Sequence, residues 1–368
     1  MKLHAIQVSR IFLFSLIFGF GGLVNSIYSQ KFVNEFLNIG IGARAQGMFG
    51  SVVASVDDGT AGFWNPSALT SVQSPLQLNA MHANWFGGIS NYDYVSIAKK
   101  LDSRFNSAAS ISVVRLGVDN IPYTLNLVNA DGSIDYDQVS NFSASDYAAL
   151  ISYGRSLDSD DTWSVGGSVK IIHRSVGKIG KAWGFGADLG ARFKTEHLTV
   201  GIMAKDITTT VNNWSFTFTE EEKETFINTN NEIPVSSTEL TLPRLIFGGA
   251  YYGTVSNFSY LTELNLNIST DGTKASVFSG DRFSIDPTIG FEGGYANKVF
   301  LRFGLGNIQK VINPNNTSST KFEIQPNVGL GLKLGRLKID YALANIGSVS
   351  GILSSHIFSL GLDFVPNE

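Results

Sequence analysis

After the N-terminal fifth of the chain, segments of about ten residues in which apolar and polar side chains alternate recur to the C-terminus. Alternation with this period places the two kinds of side chain on opposite faces of a β-strand. In one segment Phe258, Leu264 and Leu266 share a face, whereas Glu263 and Asn265 lie on the other. We count about fourteen such segments, and they predict an all-β fold. They are 76–84, 91–101, 106–117, 145–156, 162–175, 182–194, 196–206, 243–252, 257–268, 285–296, 298–309, 322–334, 336–346 and 354–364.

The connections between these segments alternate in length. They are tight after even-numbered segments, and several are long after odd-numbered ones, namely 118–144, 207–242, 269–284 and 309–321. Outer-membrane barrels have short periplasmic turns and long external loops, whereas a Greek-key sandwich has no reason to sort its loops in this way. We therefore predict a transmembrane antiparallel β-barrel of about fourteen strands over residues 75–368, with both of its ends on the periplasmic side.

The N-terminus has the three parts of a secretory signal peptide, which we assign to residues 1–29. Lys2 and Arg10 carry positive charge, an apolar run extends from Ile11 to Val24, and small or polar residues follow it. A transmembrane helix is the alternative, but the run contains three glycines and is shorter than the roughly 20 residues that a bilayer requires. No later stretch holds the roughly 18 consecutive apolar residues of a spanning helix. We expect the protein to leave the cytoplasm.

The last segment carries a further sign of a membrane barrel. Phe358, Leu360, Leu362 and Phe364 alternate with polar or small residues at the end of the chain. We expect this face to contact outer-membrane lipid, and the barrel assembly machinery to read the terminal aromatic residue as an assembly signal. The last strand of a soluble β-protein is the alternative. The predicted location is the outer membrane.

Composition excludes several classes of function. Charged residues make up 16% of the chain, well below the roughly 25% of an ordinary soluble domain. The net charge of -4 and the lack of any Lys/Arg run argue against a nucleic-acid partner. Without cysteines the chain has no disulfide, thiolate ligand or cysteine nucleophile, and its five histidines are scattered. We predict neither a metal nor another cofactor.

Three stretches resemble catalytic or binding motifs, and each is better explained by a barrel. The glycines of 184–190 miss the dinucleotide-binding spacing, and no helix follows them. Leu127 and Gln138 occupy the first and last positions of an EF-hand-like stretch, where acidic ligands are needed. Ser355 and His356 are adjacent strand residues and point to opposite faces, so they cannot form a nucleophile and base pair. We predict that the protein is not an enzyme.

Residues 30–74 precede the strands and do not alternate. Small residues recur between Ala43 and Gly47, and the runs at 57–59 and 65–66 are typical of turns or helix caps. A compact segment ahead of a barrel of this size is most simply a plug folded into the lumen. We therefore predict an N-terminal plug over residues 30–74.

The plug must match a charged lumen. Mixed charges are costly to bury unless they are paired, so we expect Arg44, Asp57 and Asp58 to be partners of lumenal side chains. The strand faces that point away from lipid carry Lys170, Asp188, Lys205, Glu263, Arg302, Lys333, Lys338 and Asp340.

Three runs in the plug resemble the N-terminal signature of the PorV/PorQ family of type IX secretion outer-membrane proteins. They are 36–45, which contains Gly42 and Arg44, the pair Asp57 and Asp58, and 61–69, which contains Trp64, Asn65 and Pro66. Later runs agree at 301–306, 329–335, 339–343 and 356–364. The resemblance implies an outer-membrane barrel with a role in protein secretion. That family is itself similar to the FadL-type barrels of hydrophobic-compound uptake, which share the fourteen-strand plan and an Asn-Pro turn near the plug.

Three classes of function fit these observations. The resemblance implies a non-enzymatic secretion component that engages secreted proteins or type IX translocon components through its external face. A passive channel for hydrophobic compounds is the alternative, and an apolar lumenal pocket with a lateral gap between strands would favour it. A barrel that only anchors other envelope proteins is the third.

The two longest connections, 118–144 and 207–242, would lie outside the cell and are rich in aromatic and apolar residues. Aromatic residues are enriched at protein interfaces. The candidate interaction residues are Tyr123, Leu125, Trp214, Phe216 and Phe218. The alternative is that these loops fold over the barrel mouth as a lid.

Overall fold

The computed structural model describes residues 33–102, 104–125, 127, 133–270, 278–280, 283–313, 316–345 and 354–364. The predicted signal peptide, residues 1–29, lies outside the described residues. Among the described residues, no helix has the length and apolar character needed to cross a membrane.

The plug segment comes first in the chain and consists of short helices joined by turns. A 3-10 helix, Glu35–Leu37, precedes helix α1 (Ala43–Gly47), and helix α2 (Ala61–Trp64) leads into a second 3-10 helix, Pro66–Ser71. Pro66 stands at the first position of this last helix, where its fixed φ is favourable and its missing N–H costs nothing.

Fourteen antiparallel strands then form a closed barrel, as predicted from the alternation. Closure is made by the first and last strands, which pair from Leu76 opposite Phe364 to Asn84 opposite His356. Three further strands, β8, β9 and β12, lie at the end of the barrel that carries the long connections, which we call the external end, the opposite end being the periplasmic end. The strands are β1 (Leu76–Trp85), β2 (Ser90–Asp102), β3 (Ser107–Tyr123), β4 (Ser140–Ser156), β5 (Trp163–Val176), β6 (Gly180–Lys194), β7 (Leu198–Lys205), β8 (Thr210–Phe216), β9 (Ser236–Thr241), β10 (Arg244–Val255), β11 (Phe258–Ser269), β12 (Phe278–Ser279), β13 (Ser284–Tyr295), β14 (Val299–Asn313), β15 (Asn316–Leu334), β16 (Leu337–Ala344) and β17 (Ser355–Phe364).

The two faces of the barrel differ as the alternation predicts. In β11, Leu264 and Leu266 point outward and remain 48% and 39% exposed, whereas Glu263 and Asn265 point inward and are buried. The same holds on β17, where Phe358, Leu360, Leu362 and Phe364 all face outward and are exposed. A continuous exposed apolar surface of this kind needs apolar surroundings, so the outer face is suited to lipid.

Glycines on the inner face let the plug approach the wall. A Cβ atom on Gly201 of β7 would lie 2.7 Å from the carbonyl oxygen of Val53, and one on Gly47 of α1 would lie 3.0 Å from the Cα atom of Gly329 on β15. Neither position has room for a side chain. The high glycine content of the chain is therefore in part a consequence of filling the lumen with backbone.

The external end contains more regular structure than the sequence analysis predicted. Strand β8 pairs with the outer part of β6 and with β9, and helix α3 (Glu220–Asn228) follows it. Thr219 and Glu222 form a capping box at the start of α3. The interpretation of 207–242 as an irregular loop was wrong, because the ladder of β6 continues beyond the membrane-spanning part and the acidic run caps a helix.

We expect a lysine in place of Leu360 to destabilise the barrel. Leu360 lies in the middle of β17 and is 52% exposed on the outer face, where a charge costs about 2–4 kcal/mol near the bilayer midplane. Urea unfolding of the protein in lipid vesicles measures the loss. Phe364→Lys, at the periplasmic rim, should cost less, about 0–1 kcal/mol. Equal stability of the Leu360→Lys variant and the unchanged protein would contradict a lipid-facing β17.

Candidate functional site

The Asn65-Pro66 turn is a buried junction within the plug. The Nδ2 atom of Asn65 donates to the carbonyl oxygen of Val53 at 2.9 Å. Its Oδ1 atom accepts from the N–H of Ser67 at 3.2 Å and from the hydroxyl of Ser67 at 2.6 Å. One fully buried amide thus joins the turn before the last 3-10 helix to the loop that follows α1.

A wall carboxylate holds that same loop. Glu263 of β11 is fully buried and accepts the N–H groups of Ala54 at 2.8 Å and Ser55 at 2.9 Å. Close by, the hydroxyl of Ser51 donates to the hydroxyl of Thr288 on β13 at 2.8 Å. Buried polar groups are stable only when they are hydrogen-bonded, so the loop and the barrel wall satisfy each other.

Arg44 connects the plug to a chain of charges on the wall. Its guanidinium bonds both carboxylate oxygens of Glu292, at 2.9 Å and 3.1 Å. Glu292 also accepts from Arg302 at 2.6 Å, and Arg302 donates to Asp340 at 2.6 Å. Burial alone lowers the pKa of Arg44, but the carboxylates of Glu292 and Asp57 outweigh it and raise the pKa well above its usual value. Arg44 therefore stays charged inside the lumen.

Of the other predicted plug residues, Gly42 contacts the wall strand β1, whereas Trp64 and Asp57 contact other plug residues. The N–H of Gly42, whose φ is 85°, donates to the sulfur of Met81 at 3.0 Å. The indole N–H of Trp64 donates to the carbonyl oxygen of Ile41 at 3.0 Å. Asp57 lies 3.8 Å from Arg44.

Asp58 departs from the prediction. Its Oδ1 atom accepts the N–H of Thr60 at 2.9 Å, just before α2 begins. Among the described residues, no lumenal cation lies within ion-pair distance of this carboxylate. Asp58 thus forms an Asx-turn, in which an Asp side chain bonds the backbone N–H group two residues on.

The lumen contains a cavity on each side of the plug. An external cavity of about 470 Å³ is lined by the outer ends of strands and by plug residues that include Trp64. A periplasmic cavity of about 470 Å³ is lined by the turns at 195–197 and 253–254 and by plug residues that include Arg44. Different plug residues line the two cavities, so the plug lies between them.

The barrel wall has an irregular point between β7 and β8. Residues 206–209 leave the regular ladder there, and two hydrogen bonds bridge to β6: Ile207 N–H to the oxygen of Ala187 at 3.0 Å, and Ala187 N–H to the hydroxyl of Thr208 at 3.2 Å. The strands remain connected at this point, so the structure shows no lateral gap there.

The external aromatic residues pack on one another. Trp214 stacks on Phe216 with ring centres 5.7 Å apart, Phe216 stacks on Phe218 at 6.5 Å, and Phe218 meets Phe226 of α3 edge to face at 4.9 Å. Trp214 is only 8% exposed. The four rings form one packed cluster, in which Trp214 is buried.

Tyr123 and Leu125 lie at the far end of the same cluster. Tyr123 packs edge to face against Phe142, with ring centres 6.0 Å apart, and its hydroxyl donates to the carboxylate of Glu222 in α3. Leu125, just beyond the end of β3, is half-buried. The structure therefore brings the two predicted external segments together through α3.

The sequence analysis missed some residues that shape the lumen. It did not single out Glu292, the partner of Arg44, although Glu292 occupies an inward position in the alternation of β13. It also missed Asp206, which lies 2.6 Å from the buried ammonium of Lys170. Among the described residues, no group of three or more His, Asp and Glu side chains is arranged to hold a metal ion.

We expect Asn65→Ala to loosen the plug without opening the barrel. The change leaves the Val53 carbonyl and the Ser67 N–H without their partner, and each lost buried partner costs about 1–3 kcal/mol. Conductance in planar bilayers should rise, and circular dichroism should still report strands. Gln73→Ala, at an exposed plug position, is the control. Conductance equal to that of the unchanged protein would show that Asn65 does not hold the plug closed.

Comparison with known proteins identifies solved structures with the same architecture. No protein-family model matches the chain, and no curated protein matches its sequence. The toluene transporter TodX of Pseudomonas putida is similar in structure, with a TM-score of 0.56 and 13% identity over 89% of this chain and 99% of that one. The toluene transporter TbuX of Ralstonia pickettii has a TM-score of 0.53 and 12% identity over 89% and 99%. A FadL homologue of Pseudomonas aeruginosa has a TM-score of 0.52 and 11% identity over 88% and 98%. The chain therefore has the FadL-like fourteen-strand barrel fold.

Proposed function

We propose that the protein is a passive channel for small hydrophobic compounds in the outer membrane, with the plug as its gate. The observation that carries this proposal is the fold shared over nearly the whole chain with two toluene transporters. It favours the alternative that the sequence analysis placed second. The PorV/PorQ resemblance, which the sequence analysis placed first, has no support from the three similar structures described above.

The arrangement of the lumen agrees with a gate. Trp64 and Trp85 line the external cavity together with Ile39, Phe49 and Ile246, and these side chains offer apolar surface to an entering molecule. Passage to the periplasmic cavity requires the plug to move, because plug residues line both spaces. The neutral hydrogen bonds that hold the plug contribute about 0.5–1.5 kcal/mol each, and the bonds to charged groups such as Glu263 and Glu292 about 1.5–3 kcal/mol each. A displacement of the plug that breaks only a few of them is therefore energetically accessible.

A removable crosslink tests the gate. The hydroxyl oxygens of Ser51 and Thr288 lie 2.8 Å apart, and the chain contains no cysteine. In a Ser51→Cys, Thr288→Cys double variant the two sulfurs can therefore meet with little backbone movement. Oxidation should tie the plug to β13 and abolish uptake of labelled toluene by a Gram-negative host that lacks other barrels of this fold. Reduction should restore the uptake rate.

The single variant Ser51→Cys is the control, because it changes the plug surface but cannot form the crosslink within one chain. Uptake by the oxidised double variant at the unchanged rate would show that this part of the plug is not the gate. Cells without the barrel give the background rate of uptake. If neither the unchanged protein nor the reduced double variant raises uptake above this rate, the protein is not a channel for toluene.

A second candidate rests on the resemblance of 36–45 and 61–69 to the PorV/PorQ signature. In this proposal the barrel works in type IX secretion, and its external face engages secreted proteins or translocon components. Purification from native envelopes in mild detergent, followed by identification of the bound chains, tests it. Secreted proteins or translocon components in near-equal amounts would support this candidate, and a barrel that purifies without them would contradict it.

A further inference from the structure

Lys205 is a buried lysine at the base of the external cavity. It is 9% exposed and lines the cavity wall. Its Nζ atom lies 4.6 Å from the ring centre of Phe63 and 5.8 Å from that of Trp64. Among the described residues, no carboxylate oxygen lies within 4.0 Å of this ammonium and no hydrogen-bond acceptor contacts it. A buried ammonium without a direct ion-pair partner is costly, so an anion that contacts Lys205 would be favoured there.

The carboxylates nearest in the fold are already used. Asp188 and Asp206 both bind the ammonium of Lys170, at 2.8 Å and 2.6 Å. Asp188 accepts in addition the N–H of Asp206 at 2.7 Å, and Asp206 accepts the hydroxyl of Thr210 at 2.5 Å. These bonds hold both carboxylates on Lys170, and they leave Lys205 without a partner.

A second cation faces the same cavity. Arg244 of β10 stands directly opposite Lys205 of β7 in the strand register, and both line the cavity. Like charges directly opposite each other destabilise a strand pair. Arg244 has one carboxylate partner, Glu35 of the plug, at 2.9 Å. Arg244 is thus paired, whereas among the described residues Lys205 has no carboxylate within 4.0 Å, and an incoming anion would give it the direct partner it lacks.

The remainder of the cavity combines amides with aromatic rings. Amide side chains from neighbouring strands face it and are partly bonded to one another, as from Asn307 to Gln325 at 2.8 Å and from Gln325 to Asn345 at 2.7 Å. An amide has two N–H donors and two acceptor lone pairs, so these chains keep capacity for hydroxyl groups. Trp64 and Trp85 line the same space and offer ring faces.

We propose that the external cavity binds a small aromatic carboxylic acid that carries ring hydroxyl groups. The carboxylate is placed on Lys205, the ring against the tryptophans and the hydroxyls on the amides. The cavity volume of about 470 Å³ lies within the roughly 300–1,000 Å³ of ligand sites. A plain hydrocarbon would leave Lys205 without an ion-pair partner. The inference rests on the proposed channel function and deepens it by naming the class of solute.

Two probe molecules of nearly equal shape but different charge show whether the cavity recognises the charge of a ligand or only its size. The probes are 4-hydroxybenzoate, which is anionic at neutral pH, and 4-hydroxybenzamide, which is neutral. Their binding to the purified, detergent-solubilised full-length protein is measured by equilibrium dialysis. We expect the acid to bind about 10-fold more tightly, as for a charge-assisted contact. Lys205→Met should remove this preference and leave amide binding unchanged, and Lys205→Arg should retain it.

Lys181→Met is the matched control, because Lys181 is an exposed lysine on the neighbouring strand β6 and should not affect either probe. Thermal unfolding gives a second readout. If Lys205 had only a structural role, Lys205→Met would lower the unfolding temperature. Because Lys205 is an unpaired buried charge, we expect the unfolding temperature of Lys205→Met to be no lower than that of the unchanged protein. Equal binding of acid and amide by the unchanged protein would overturn the inference.

Failure of this inference and failure of the channel are distinguishable. In one outcome, the crosslink between positions 51 and 288 controls toluene uptake, but the two probes bind equally. This outcome would overturn the anion site and leave the channel standing. In the other outcome, the protein prefers the acid and this preference depends on Lys205, but the barrel raises the uptake of neither toluene nor 4-hydroxybenzoate. This outcome would support the anion site and overturn the channel.

Discussion

The structure depends on one constraint, which is that no backbone N–H or C=O group can remain unpaired in a bilayer. Pairing of β1 with β17 meets it by closing the sheet. A closed barrel of this width encloses a space that must be filled or left to water. Glycines at inward positions such as Gly201 and Gly329 accept the plug backbone, and wall groups such as Glu263 satisfy its N–H groups. Closure of the sheet thus creates the lumen, and the lumen determines the composition of the inner face.

Strand positions were predictable because a period of two residues is a property of the sequence itself. The alternation in 257–268 identifies β11 to within one residue at each end. Contacts between plug and wall were not predictable in the same way. Arg44 meets Glu292 across 248 positions of sequence, and no local period relates the two. Asp58 shows the opposite error, since a charge expected to reach the wall bonds a neighbour two residues on.

Helix α3 and strand β8 were missed for a different physical reason. Strand β8 has seven residues, too few for alternation to stand out, and its stability comes from pairing with β6 and β9 rather than from its own pattern. The run of glutamates that begins at Glu220 resembles a solvated loop tip in the sequence. In the fold it forms the first turn of α3, where negative charge is favourable and Thr219 supplies the cap.

A fold can be shared while the chemistry of its interior differs. The similar structures, at 11–13% identity, establish the barrel fold, but they do not fix which side chains line the cavity. In this chain the ion pairs divide into two groups. Arg44, Glu292 and Arg302 are paired with one another and hold the plug, whereas Lys205 has no ion-pair partner among the described residues. Under the proposed channel function, the paired charges position the gate, and the unpaired charge at the cavity wall is the feature able to distinguish one solute from another. Selectivity should therefore reside in Lys205 and its amide neighbours, and gating in the contacts of the plug.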